Sequence, residues 1–277
     1  MKLSAGTASS ASAKTTIINL LKNNGHADKV VGEVMETYDY SQFKFLDLNR
    51  DPDQNNIKAI RESMLLKALP IPIIVNEKKE IIDGQHSFIV RTDLNLPIVY
   101  LVIEGLTIDD VPLFQTGRPW KPEDWLKLWK GRGNQHYVVY DEFRKKHKLG
   151  HWTVVGLLYG EKYDDGDTRV SIWKEGKFKV KPNNLKTAEN LMNCVESISQ
   201  HLDKKLINTK KQVNRNFIWG LKRALTNKKF NFDVFADNLT NPKAPKIQNW
   251  ADDESFVQNI FDVYNYGLPA NKQAKMS

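Results

Sequence analysis

The sequence predicts an α+β chain: a small mixed sheet with helices over residues 15–117, then a mostly helical, basic domain over residues 118–277, with residues 1–14 as a tail. Three observations predict it. Short β-branched runs (residues 71–75, 81–82 and 97–103) are confined to the first part and punctuated by Pro, Asp and Gly. After Gly117 the strand signals fade, and long stretches with apolar residues at helical spacing take over. Charge divides the same way: residues 1–120 hold 13 Lys+Arg against 15 Asp+Glu, and residues 121–277 hold 28 against 18, so the formal net charge of +8 belongs to the second part. That asymmetry points to a polyanionic partner for one half, or to a solubilising surface.

The elements follow in order. Residues 15–38 read as one or two short helices broken near Asn23-Asn24-Gly25, and residues 43–48 as a short strand. Asp51-Pro52 is a helix start, since Asp caps and Pro suits a first turn; the helix runs through Ile57, Ile60 and Met64 to Pro70. Residues 71–75 form a strand, 77–80 a polar hairpin connection, 81–82 a second strand ending at Asp83-Gly84, 85–94 a helix and 97–103 a third strand. A short helix over 107–115 carries a capping box, Thr107 and Asp110. Beyond it, 122–129, 137–146, 152–158, 185–202, 211–225, 230–239 and 255–264 read as helices, 170–180 as a small hairpin around Glu175-Gly176, and 272–277 as a tail.

Hydrophobic residues make up 40% of the chain, a globular composition. No apolar run approaches the ~20 residues of a membrane helix, and residues 1–14 lack the apolar core of a secretory signal. Cys194 is the sole cysteine, which excludes an intrachain disulfide and a cysteine zinc site and fits a cytoplasmic setting. Phosphate-loop, zinc-protease and serine-hydrolase motifs are missing. Asp164, Asp165 and Asp167 lack the Gly and distal Glu of a calcium loop and read as a turn.

The segment with chemistry is Ile81-Ile82-Asp83-Gly84-Gln85-His86-Ser87. Gly84 lets the backbone turn sharply from strand to helix. The helix start at Gln85–Ser87 then presents backbone N–H groups with the positive end of the dipole behind them, an anion site. Gln85 adds an amide, His86 a donor or proton shuttle, and Ser87 a hydroxyl. The bland alternative is a turn with a surface histidine.

With its flanks Ile71-Pro72-Ile73-Ile74-Val75 and Leu96-Pro97-Ile98, this order of helix, strand, hairpin, strand, Asp-Gly-Gln-His, helix and strand resembles the ParB/sulfiredoxin superfamily. The branch is that marked by Asp-Gly-Gln-His-Arg, found in phage and mobile-element ParB-like proteins. The resemblance covers residues 46–104 and keeps four of the five signature residues. It implies a ParB/sulfiredoxin-like sheet and a nucleoside triphosphate, CTP or ATP, with Mg2+. The phosphates would meet Pro72, Gly84, Gln85, His86 and Ser87. Were the protein an enzyme, Asp83, Gln85 and His86 would be the catalytic set of a nucleoside triphosphatase, phosphotransferase or nuclease.

This chain departs from the pattern at Ser87, where the family has a phosphate-binding Arg. Arg91, four residues on and on the same helix face, would reach the vacant position or else be solvated. Sulfiredoxin has its catalytic Cys where this chain has Gln85, so reductase chemistry is not expected. A looser resemblance to phage-type relatives lies in Gln115-Thr116-Gly117-Arg118-Pro119-Trp120. Thr116 and Arg118 would close over a bound phosphate, or else Trp120 and Trp125 staple the domains.

Residues 204–229 hold nine Lys+Arg and no acid. On a helix, Val213, Phe217, Leu221 and Ala224 share one side, and Lys211, Arg215 and Lys222 the other. With Lys210 and Arg223 these form the expected nucleic-acid contact, with solvation as the alternative. The combined expectation is a phage-type ParB-like protein that binds nucleotide or phosphate and acts on or near DNA, inside a bacterial host cell and away from membrane. Self-association into a homo-oligomer is compatible with it. The rivals are a phosphotransferase or nuclease at the Asp-Gly-Gln-His segment, and a degenerate scaffold for protein contacts.

Overall fold

Five strands build one mixed sheet, and everything that positions the candidate site hangs on its middle strands. The computed structural model describes residues 32–114, 119–160, 166–202, 206–207 and 213–275. The strands are β1 (Val34–Thr37), β2 (Lys44–Phe45), β3 (Ile73–Val75), β4 (Glu80–Asp83) and β5 (Ile98–Val102), in sheet order β1-β5-β3-β4-β2. The β1/β5 and β3/β4 pairs are antiparallel; β3/β5 and β2/β4 are parallel. The described residues divide into a sheet unit, within residues 32–46 and 52–111, and a helical unit, within residues 47–51 and 112–275. This is the α+β architecture expected from the sequence, a mixed sheet with helices followed by a mostly helical part.

In the sheet unit, Ile73 pairs with Tyr100 and Ile74 with Leu101, which places β3 and β5 at the centre. Ile73, Val75, Ile81 and Ile98 are buried, and Phe43, Phe88 and Tyr100 close over them with edge-to-face contacts. Helix α1 (Gln54–Leu66) packs against helix α2 (Gln85–Asp93). Asn76 sets the β3–β4 hairpin. Its Oδ1 accepts from the N–H groups of Lys78 (3.0 Å) and Glu80 (2.9 Å), which holds Lys79 at φ +60°.

The helical unit comprises α3 (Val111–Phe114, which starts at the unit boundary), α4 (Pro122–Gly131), α5 (Gln135–His147), α6 (His151–Tyr159), α7 (Gly166–Lys174), α8 (Pro182–Ile198), α9 (Arg215–Ala224), α10 (Phe232–Thr240) and α11 (Asp253–Asn265). One continuous core runs through it, from Tyr137, Tyr140, Trp173 and Phe178 to Phe217, Phe256 and Ile260. No helix among the described residues is long and apolar enough to cross a membrane.

Four expectations need correction. Val34–Thr37 is a strand rather than the end of a helix, because it pairs with β5 across 60 or more residues of chain. The cap of α1 is Asp53, not Asp51: its carboxylate accepts from Asn55 N (2.9 Å) and Asn56 N (3.1 Å). Residues 166–174 are helical, so the hairpin expected over 170–180 is a helix and turn followed by an extended stretch. The segment before the C-terminus is docked: Asn265 donates to Ala274 O and accepts from Ala274 N, both at 2.8 Å.

Candidate functional site

Gly84 makes the site geometry. At φ +92° it caps α2 in the left-handed region, and a Cβ there would lie 2.6 Å from Ile73 Cγ2. Strand β4 therefore turns into α2 with no side chain between the turn and β3. Gly84 also offers no side-chain cap to the first turn of α2, unlike Asp53 at the start of α1.

The two helix starts are tied together. The backbone N–H of Asp53 donates to His86 Nε2 at 3.0 Å. His86 is thus an acceptor at Nε2, with its ring buried. Two positive helix ends converge on this link, α1 carrying its own carboxylate cap and α2 starting at a bare glycine. Gln85 is buried; Gly84, Ser87 and Asp83 are half-buried, with Asp83 paired to Ile74 across β3.

Arg91 does not take the place of the arginine that the sequence resemblance implies at position 87. It is buried, and its guanidinium donates to Pro97 O (2.8 Å) and to Leu69 O. The expectation that it reaches back to Ser87 is corrected: its fork fastens α2 to the chain entering β3 and to the chain entering β5. The helical spacing that suggested the reach says nothing about which side of the helix meets the sheet.

A groove of about 390 Å³ opens between α1 and α2, lined by Pro52, Gln54, Ile57, Lys58, Arg61, Ile89 and Asp93. The α2 residues that line it are Ile89 and Asp93, beyond the first turn; neither Gly84–Ser87 nor Pro72 is among the lining residues. Arg61 pairs with Asp93 across it. Sequence pattern did not single out Lys58 and Arg61, although Gln54, Lys58 and Arg61 stand at i, i+4 and i+7 and so share a face of α1. Among the described residues no cluster of three or more His, Cys, Asp or Glu is placed to hold a metal ion.

On α9, the expected apolar side is buried: Phe217, Ile218, Leu221 and Ala224. Arg215 is exposed. The Lys222 ammonium lies 4.7 Å over the Trp219 ring, and burial lowers its pKa from the ordinary lysine value. Arg223 pairs with Asp253 (3.1 Å), on α11. Lys210 and Lys211, like Thr116 and Arg118, lie outside the described residues. Trp120 and Trp125 lie against each other with ring centroids 4.8 Å apart.

No family model matches the chain, and no curated protein matches it. Among solved structures, it is similar to the C2221 form of a Pnob8-like ParB-N domain, at 13% identity and a TM-score of 0.34, over 86% of this chain and 100% of that one.

Proposed function

We propose that the protein is a ParB-like, phage-type protein whose sheet unit binds a nucleoside triphosphate by its phosphates and whose helical unit associates with DNA through α9. The observation that carries the first part is the β4–Gly84–α2 junction, held against the start of α1 by the Asp53–His86 hydrogen bond. A phosphate at Ser87 would meet the uncapped end of α2; the groove beside Lys58 and Arg61 is a separate basic feature of the same helix pair, further along α2. The sequence resemblance supplies the nucleotide class. In the second part, exposed Arg215 and half-buried Lys222 share a side of α9 away from Phe217, Leu221 and Ala224, and duplex phosphates are the partner proposed for it.

Catalysis by His86 has less support, because the Nε2 lone pair is already taken by Asp53 N–H. A scaffold that has lost its ligand is favoured by one observation: Arg91 is committed to two backbone carbonyls and Ser87 stands where the family arginine would.

Calorimetry with CTP and with ATP, each with Mg2+, separates these readings. Native protein should bind one of them, and Ser87→Arg should tighten binding about tenfold by adding a bidentate phosphate contact. Ser87→Glu should abolish it. If neither nucleotide binds native protein or Ser87→Arg, the scaffold reading replaces this one. Turnover of the bound nucleotide, with and without DNA, would assign an enzyme.

A further inference from the structure

The most basic run in the helical unit is not its most available one. Arg144, Lys145, Lys146 and His147 end α5, yet each faces an acid: Glu123, Asp141, Glu189 and Glu189 respectively. Residues 174–186 differ. They hold five lysines, Lys174, Lys177, Lys179, Lys181 and Lys186, and one acid, Glu175, which pairs with Lys177 at 2.5 Å. All five lysines are exposed, and among the described residues no acidic side chain pairs with Lys174, Lys179 or Lys186.

The backbone sets them out in a row. Phe178 is buried and Val180 half-buried, between exposed Lys177, Lys179 and Lys181. This is the alternation of an extended chain, which places successive lysines about 7 Å apart on one side. The stretch is anchored at both ends: Trp129 Nε1 donates to Lys174 O (3.1 Å), and Lys181 N donates to Leu158 O at the end of α6 (3.2 Å). Lysines on an anchored backbone cost less backbone freedom on meeting a polyanion than lysines on a mobile tail do.

The row continues toward α9. Lys181 Nζ lies 5.4 Å over the ring of Tyr159, on α6. One helical turn back on α6 is Gly156, whose lack of a Cβ admits the edge of Trp219; a Cβ would stand 2.8 Å from Trp219 Cζ2. Trp219 in turn carries Lys222. Positions 156 and 159 are neighbours on one helix face. Each cation–aromatic pair thus meets α6, one through Tyr159 and the other at Gly156, and these two positions are one helical turn apart.

We infer that residues 174–186 form a second phosphate-contacting strap, which together with the Arg215–Lys222 side of α9 makes one track for the backbone of duplex DNA. The inference rests on the reading of the helical unit as DNA-associated and extends it to a surface that α9 alone does not cover. Apolar pockets for bases are not part of it, so contact should be sequence-independent.

Two variants of the full chain separate the strap from α9: Lys174→Gln/Lys177→Gln/Lys179→Gln/Lys186→Gln, and Arg215→Gln/Lys222→Gln. All the strap positions are exposed, so circular dichroism should match the native protein. Anisotropy titrations on duplex DNA at several salt concentrations should show a flatter slope of log K against log salt in the strap variant, by about 2 to 3.5, at about 0.9 for each phosphate that is no longer neutralised. Lysine acetylation mapped by mass spectrometry, with and without DNA, should show Lys179 and Lys186 protected. A strap variant that binds as native protein does, with Lys179 and Lys186 unprotected, overturns the strap while leaving α9 standing if its variant is weakened. An unaffected α9 variant with a weakened strap variant does the reverse. No binding by native protein at low salt overturns both.

Discussion

The sheet unit links its elements mainly through single polar side chains, whereas the helical unit adds to such links, Asn184 to Leu158 O and Tyr159 O among them, a large cluster of aromatic rings. In the first, seven residues make the apolar cluster, and the links between elements are Arg91 to Pro97 O and Leu69 O, His86 to Asp53 N, Asn76 to Leu106 O and Tyr40 to Leu96 O. In the second, the rings of Trp173 and Phe178 both lie within 5.8 Å of those of Tyr137 and Tyr140, centroid to centroid, at the meeting of α5, α7 and the strap. The difference follows from size. A small sheet cannot bury enough apolar surface to hold its helices by contact alone, so directional bonds carry more of the load. All seven tryptophans, Trp120 to Trp250, belong to the helical unit. Tryptophan fluorescence therefore reads that unit and far-ultraviolet circular dichroism reads both, which makes the contrast measurable.

The largest effect is expected at Arg91. Arg91→Ala strands two carbonyls that now accept from a charged donor, at roughly 1.5–3 kcal/mol each, so the sheet unit should lose roughly 3–6 kcal/mol. In urea, the circular dichroism transition should split, with an early phase for the sheet unit and the tryptophan transition unmoved. A parallel shift of both signals would show that the units unfold together, and the contrast between them would fail.

Gly84 comes next. Gly84→Ala places a Cβ at φ +92° and 2.6 Å from Ile73 Cγ2. Backbone strain and overpacking should together cost roughly 2–3 kcal/mol, again in the sheet unit alone. The same variant should weaken nucleotide binding, because the turn that aims α2 must shift. Unaltered stability would mean that the strand-to-helix turn is more pliable than its geometry implies.

How legible these joints were in sequence depends on whether their partners are near in the chain. The β4–Gly84–α2 turn was readable because β-branched residues, a glycine and a helix start adjoin. So was the buried side of α9, where Phe217, Leu221 and Ala224 repeat at helical spacing. Arg91 was not, since its acceptors lie 22 and 6 residues away and only the packed sheet brings Leu69 to it. His86 likewise looked like a donor or shuttle, and its bond to Asp53 spans 33 residues. β1 misled for the same reason: Val34-Met35-Glu36-Thr37 has no strong local preference, and β5 decides its state. Over 170–180 the alternation is real only from Lys177 on; before it, Trp173 is held in a helix by the aromatic cluster.

The smallest effect tests the imidazole inside the aromatic region. His151 opens α6 among Tyr140, Trp152 and Trp173, with Nδ1 2.5 Å from the Tyr140 hydroxyl and Nε2 buried without a hydrogen-bond partner. Burial first, and then the Arg144 guanidinium, push its pKa down from 6.5 to about 4, against a smaller upward pull from Glu123. Burial holds the Tyr140 phenol above its ordinary value, so it stays a neutral donor. The sign follows: the folded state refuses a proton that the unfolded chain accepts, so stability contributed by neutral His151 is full above pH 6.5 and lost as pH falls towards 4. At pH 5 the loss should be about 2 kcal/mol. The carboxyls of Asp141, Glu123 and Glu189 are all lowered from ordinary values of 3.8 or 4.5, so their contributions disappear below that window. His151→Phe keeps a ring against Trp173 and removes the titration. Denaturation followed by tryptophan fluorescence at pH 7 and pH 5 should then show a drop in native protein that is largely missing from the variant. The sheet-unit transition should change equally in both. An equal drop in the tryptophan signal of both proteins would place the acid-sensitive group elsewhere in the helical unit.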